Sequence, residues 1–132
     1  MLPKLPPMRP AVLAQRIDAA PNLVTLFLDW ADQQPEAPFL AAREDGRWQT
    51  ISWGAARDIV ASLSAALVEL GISKGDRVCL VSENRPEWCL ADLAIMAAGA
   101  ITVPAYTTNT EADHTHILDT VSYTHLTLPT IY

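Results

Sequence analysis

The residues whose types first suggest chemistry are two histidines beside an aspartate. Asp113, His114 and His116 supply carboxylate and imidazole groups, which are common metal ligands. The spacing disfavours a shared ion, because residues two positions apart on a helix point about 200° away from each other around its axis. The pattern is more typical of the solvated start of a helix, and we predict no metal-binding residue here.

A second candidate is the polar segment from Glu83 to Trp88, which follows a predicted strand and opens a predicted helix. Ligand contacts in α/β proteins tend to lie at this position. The same residues have structural roles: Asn84 turns the chain and Pro86 sets the first helical turn. Glu87 complements the helix N-terminus, and Trp88 packs. We favour the structural interpretation and leave ligand contact as the alternative.

Two common nucleotide-binding and catalytic patterns are absent from the sequence. The 5 glycines are scattered and form neither a G-x-G-x-x-G nor a G-x-x-x-x-G-K loop, so no phosphate cradle is predicted. No serine stands in a G-x-S-x-G elbow, and Ser62, Ser64 and Ser73 have no neighbouring histidine. From the residues alone we predict no catalytic, cofactor-binding or metal-binding residue.

The composition predicts one globular domain and disfavours several partners. Half of the 132 residues are hydrophobic, and 15 acidic against 9 basic side chains give a formal charge of −6. No Lys/Arg cluster stands out, so nucleic acid is not an expected partner. The longest uncharged run lies between Asp92 and Glu111. Gly99 and Pro104 interrupt it, so no transmembrane segment is predicted.

The two cysteines and the first residues indicate the compartment. Cys79 and Cys89 lack Cys-x-x-Cys spacing, so we predict two buried free thiols rather than a zinc site or a disulfide. Residues 1–20 are rich in proline and lack the unbroken apolar stretch of a secretory signal. We therefore expect an extended leader and a cytoplasmic protein.

Helical spacing and a turn signal predict the first elements. A helix is expected from Asn22, as its N-cap, to Gln34. Asp-Gly at positions 45 and 46, between apolar segments 37–43 and 47–51, predicts an antiparallel hairpin. Ser52 then caps a second helix that ends near Leu70. One apolar face of this helix is expected from Ile59, Leu63, Ala66, Leu67 and Leu70.

The next segment has the pattern of a βαβ unit. Val78 to Val81 form an unbroken apolar run typical of a buried strand, which we predict over residues 77–82. A helix over 86–98 follows, apolar nearly all round, and then a strand over 101–104. The two strands should be parallel, so the fold class is α/β. A fourth helix is expected to begin over Glu111 to Leu118.

Several motifs occur in the order and at the spacing of one enzyme family. They are Leu70-Gly71-Ile72-Ser73-Lys74-Gly75-Asp76-Arg77-Val78, Ser82-Glu83-Asn84-Arg85-Pro86-Glu87-Trp88, Ala91-Asp92-Leu93-Ala94 and Ala98-Gly99-Ala100-Ile101-Thr102-Val103-Pro104. The segment that holds them resembles the N-terminal region of AMP-forming acyl-CoA synthetases. Residues 106–119 look most like the long-chain fatty acid branch.

The resemblance implies a partial N-terminal subdomain of the adenylate-forming enzyme fold over residues 21–119. It also implies a ligase that uses ATP, Mg²⁺ and coenzyme A to convert a carboxylic acid into its CoA thioester. The family's phosphate loop, adenylate motifs and catalytic lysine match no residue here, so we expect this chain to be inactive. A synthetase for another carboxylic acid and a small non-catalytic binding or interaction module remain alternatives. Peripheral membrane contact is compatible with either ligase.

Residues 120–132 depart abruptly from the family's pattern. Val121 to Thr130 coincide with one reading frame of a common transposase-based sequencing adapter, and the preceding adapter bases complete a codon for Thr120. We therefore expect a tail derived from the adapter after Asp119. A divergent natural terminus is the alternative.

Overall fold

The computed structural model describes residues 21–121 and the backbone of Thr124 and His125. The chain divides into two compact units, one ending at Ile59 and one beginning at Val60. The expected leader and the rest of the expected tail lie outside the described residues. In chain order the elements are α1 (Leu23–Gln33), β1 (Pro38–Glu44), β2 (Arg47–Ser52), α2 (Trp53–Glu69), β3 (Arg77–Val81), α3 (Pro86–Ala97), β4 (Ile101–Ala105), α4 (Glu111–Val121) and β5 (Thr124–His125).

The first unit begins with α1, whose predicted N-cap is confirmed. The side-chain oxygen Oδ1 of Asn22 accepts a hydrogen bond of 2.9 Å from the backbone N–H of Thr25. This bond satisfies one of the amide groups that the first turn of a helix leaves unpaired. Phe27 and Ala31 are buried one turn apart, so α1 faces the interior with the apolar spacing that the sequence predicts.

The predicted hairpin is also confirmed, with strand ends shifted by about one residue. Glu44 pairs with Arg47, and the two residues between them have positive φ angles, 47° at Asp45 and 76° at Gly46. Two successive residues with positive φ are the signature of a type I′ turn, whose twist matches that of paired strands. The Asp-Gly pair therefore determines the register of β1 and β2.

Four aromatic rings pack together in the first unit. Phe39 of β1 lies 4.2 Å from Trp53, between ring centroids, and 5.4 Å from Phe27 of α1. Trp30 stacks on Trp53 at 6.1 Å. Offset and tilted ring pairs at these distances contribute about 0.5–1.5 kcal/mol beyond the area they bury. These contacts join α1, β1 and the start of α2.

Helix α2 has the predicted ends, but only part of its predicted apolar face is buried. The Ser52 hydroxyl oxygen accepts a hydrogen bond of 3.2 Å from the Ala55 N–H at its start. At its end Gly71 has a φ of 96°, and Ile72 N–H donates to the carbonyl of Leu67 at 3.1 Å. The buried apolar residues of the helix are Ala56, Val60 and Leu67. Ile59, Leu63, Ala66 and Leu70, which share the predicted apolar face with Leu67, are exposed.

The second unit contains the predicted βαβ arrangement. Strands β3 and β4 are parallel, with Arg77 opposite Ile101 and Val81 opposite Ala105. Val78, Cys79 and Leu80 are all buried, as an unbroken apolar run predicts. Helix α3 joins the two strands and buries Leu90, Ala91, Leu93, Ala94 and Ile95. Strand β5 pairs in parallel with the other edge of β3, giving the order β4-β3-β5.

Pro104 is compatible with β4 because its backbone nitrogen faces away from β3. The N–H of Ile101 donates to the carbonyl of Asp76 at 2.7 Å, so Ile101 faces β3. Successive residues of a strand alternate in direction, so Pro104 faces away from β3 and no ladder hydrogen bond needs its missing N–H. The described residues provide no strand beyond this edge.

Candidate functional site

The carboxyl ends of β3 and β4 define the place where an α/β fold would position a ligand. Residues 82–85 leave β3 there, and Tyr106 leaves β4 with 78% of its surface exposed. Helix α3 begins at the same edge with Pro86 at its first position. The edge therefore holds the segment from Glu83 to Trp88 that the sequence singles out.

Within that segment the side chains of Arg85 and Glu87 form an ion pair. Arg85 donates two hydrogen bonds to the Glu87 carboxylate, from Nε at 2.8 Å and from Nη2 at 3.0 Å. These bonds lower the pKa of Glu87 below its usual value, against a smaller opposing effect of burial. Trp88 is half-buried, as its predicted packing role requires. The geometry thus gives Arg85 and Glu87 a structural role at the helix start.

The Asp113–His116 segment lies on α4, where Asp113 has a capping role. Its Oδ2 atom accepts hydrogen bonds from the Thr110 backbone N–H at 2.9 Å and from the Thr110 hydroxyl at 2.8 Å. The same bonds lower the pKa of Asp113. In return the Thr110 hydroxyl oxygen lies 3.3 Å from the Asp113 N–H, which completes a capping box.

The two histidines do not form a metal-binding group with Asp113. His116 is exposed and His114 is half-buried, two positions along the same helix. Residues 21–121 contain no group of three or more His, Cys, Asp or Glu side chains that could hold a metal ion. An open groove runs along α4, lined by Thr110, Glu111, Ala112, Thr115, His116 and Asp119. No buried polar side chain lines it.

The two thiols differ in exposure, which corrects one prediction. Cys79 in β3 is buried as predicted, but Cys89 in the first turn of α3 is only half-buried. Burial raises the pKa of both thiols, and the Asp92 carboxylate raises that of Cys89 further. A raised pKa leaves little thiolate at neutral pH, so neither cysteine is activated as a nucleophile.

Two polar features have no signal in the sequence. Arg57 on α2 donates to Asp32 on α1 at 2.9 Å and also pairs with Asp58 at 3.3 Å. The Arg57–Asp32 pair spans 25 positions, so no local spacing predicts it. The Thr102 hydroxyl oxygen is the one buried side-chain polar atom in the described part of the chain that lacks a hydrogen-bond partner.

Comparison with known proteins identifies the class to which this chain belongs. The profile of the AMP-binding enzyme family matches residues 27–128. The chain belongs to this family. Of the helices that the structure describes, none combines the length and the apolarity that a membrane span requires.

Similar proteins of known activity are CoA ligases. A long-chain fatty acid CoA ligase from Mycobacterium tuberculosis is 32% identical over 88 residues, which are 67% of this chain and 15% of that protein. A methyl-dioxo-octahydroindenyl propanoyl:CoA ligase from the same organism is 46% identical over 63 residues, 48% of this chain and 12% of its own. This chain thus spans less than a fifth of either relative.

Solved structures of adenylate-forming enzymes share the fold. A fatty acyl-adenylate ligase from L. pneumophila, solved with acyl adenylate and pyrophosphate, superimposes with a TM-score of 0.78 at 19% identity. The match covers 86% of this chain and 21% of that enzyme. The α/β fold with an antiparallel hairpin and a parallel strand pair is therefore confirmed as that of the N-terminal subdomain of these enzymes.

Proposed function

We propose that this chain is part of a ligase that converts a carboxylic acid into its coenzyme A thioester. In the first half-reaction a carboxylate oxygen attacks the α-phosphorus of ATP, and pyrophosphate leaves as the acyl-adenylate forms. In the second half-reaction the coenzyme A sulfur attacks the acyl carbonyl carbon, the thiol proton is lost and AMP leaves. The observation that carries this proposal is the family match over residues 27–128, together with the hairpin and βαβ fold that accompany it.

A long-chain fatty acid is the substrate class that we favour. Its support is the M. tuberculosis long-chain ligase, which aligns with two thirds of the chain. An acid with a fused-ring system is the second candidate, because the ring-bearing propanoyl:CoA ligase has the higher identity over a shorter span. The choice between these acids is proposed to depend on parts of the enzyme outside this chain.

The described residues are proposed to support the site rather than to react. They lack a glycine loop that could bind the phosphates of ATP and a cluster of carboxylates that could hold Mg²⁺. The described residues therefore fit neither ATP nor Mg²⁺, and we assign no reaction step to these residues. ATP, coenzyme A and Mg²⁺ are proposed as requirements of the complete enzyme. A cytoplasmic location is proposed with it, and peripheral contact with a membrane is compatible with a fatty acid substrate.

The enzyme part of this chain is proposed to comprise residues 21–119. Residues 1–20 would precede the folded subdomain, and residues 120–132 would derive from adapter sequence. The support for the second boundary is the coincidence of Val121 to Thr130 with an adapter reading frame. Resequencing the source locus across codon 119 tests it. Genomic DNA that encodes Val121 to Tyr132 followed by a stop codon would refute the adapter origin.

The function is tested with the longest polypeptide that the source locus encodes. We expect fatty acid-dependent exchange between pyrophosphate and ATP, and formation of acyl-CoA detected by mass spectrometry. The matched control is the 132-residue chain, which should show neither activity nor micromolar affinity for ATP by calorimetry. Catalysis by this chain alone would refute the proposal that its residues support the site without reacting. A soluble monomer of residues 1–119, with no ligase activity at the complete locus product, would favour the interaction module instead.

A further inference from the structure

We draw no further inference here: the strongest candidate, the open groove of the first unit between the β1–β2 hairpin and the start of α2, lined by Pro38, Thr50, Ile51, Ala55 and Ile59 among others, is a largely apolar surface, and nothing in the structure shows what covers it.

Discussion

Helices α2 and α3 are both rich in apolar residues, yet they are covered very differently. Helix α3 buries residues on almost every side, including the consecutive residues Leu93, Ala94 and Ile95. Helix α2 buries a narrow row and leaves Leu63 and Leu70 exposed. The difference shows that apolar content predicts how much cover a helix needs. It does not tell whether the cover lies within the same stretch of chain.

Helices α2 and α3 begin with different caps but end in the same way. A side-chain hydrogen bond from Ala55 N–H to Ser52 begins α2, whereas α3 begins with Arg85, which makes no such cap, and Pro86. Both helices end in the same arrangement, with Gly71 and Gly99 at positive φ. The difference in burial is therefore separable from helix termination, and substitutions can test each.

The largest effect is expected when a charge enters the covered helix. Leu93→Asp should lower the free energy of unfolding by several kcal/mol, because Leu93 is 7% exposed and a carboxylate there loses its hydration. Ala97→Asp, on an exposed position of α3, and Leu63→Asp, on the exposed flank of α2, should cost far less in this chain. Denaturant unfolding measures all three. Equal costs for Leu93→Asp and Leu63→Asp would break the comparison.

A smaller effect, about 1 kcal/mol, is expected at each helix end. Gly71→Ala and Gly99→Ala both place a Cβ atom on a residue with positive φ, 96° and 82° respectively. The added Cβ would meet nothing within 4 Å at Gly71 and would make an ordinary contact of 3.5 Å with Lys74 at Gly99. Thermal unfolding should therefore show similar losses of stability for the two substitutions. A much larger loss at Gly99 would show that α3 constrains its end more tightly than α2.

The N-terminal cap of α2 is expected to contribute about as much to stability as each of these glycines, or slightly less. Ser52→Ala should cost about 1 kcal/mol, because the amide of Ala55 loses its side-chain acceptor. Ser52→Thr keeps the hydroxyl and is the rescue variant. Arg85→Ala removes an exposed ion pair rather than a cap, so its cost should be a few tenths of a kcal/mol. Chemical denaturation would contradict this ranking if Arg85→Ala proved the more damaging change.

The smallest effect is a dependence on pH that arises in the first turn of α3. Glu87 lies in the first turn of α3 and has a lowered pKa, whereas the first turn of α2 has no acidic residue. A carboxyl whose pKa is lowered by folding stabilises the protein above its unfolded pKa, and this contribution is lost as the pH falls through the folded pKa. Glu87→Gln should therefore weaken the acid dependence of the melting temperature. An unchanged acid profile would remove this distinction between the helices.

Local chemistry explains which features could be predicted from sequence. The Asp45-Gly46 turn, the Asn22 and Ser52 caps and the glycine at position 71 each act within a few residues, so their types suffice. The parallel pairing of β3 and β4 follows from the change in apolar period along the chain. The exposure of Ile59, Leu63, Ala66 and Leu70 on α2 could not be predicted, because periodicity indicates an apolar face and not the presence of a partner.

The candidate site was predictable to a smaller extent. The position of Glu83 to Trp88 at the carboxyl edge follows from the strand before it and the helix after it. Its chemistry depends on side-chain rotamers, since the structure pairs Arg85 with Glu87. Two kinds of contact join distant parts of the chain and so leave no local pattern. They are the ion pair between Arg57 and Asp32 and the ring contacts of the first unit, such as that between Phe39 and Trp53. The absence of catalytic residues in this chain stays a prediction.

The two kinds of strand pairing also imply an order of events in time. The hairpin joins Glu44 to Arg47 across a turn, whereas the first pair of the parallel ladder joins Arg77 to Ile101, with the whole of α3 between them. A hairpin closes in about 1–10 μs, but distant segments meet only after the entropy of a long loop has been lost. We therefore expect the hairpin to form early and the β3–β4 pair to form once α3 is helical, so that the slow step of folding belongs to the second unit.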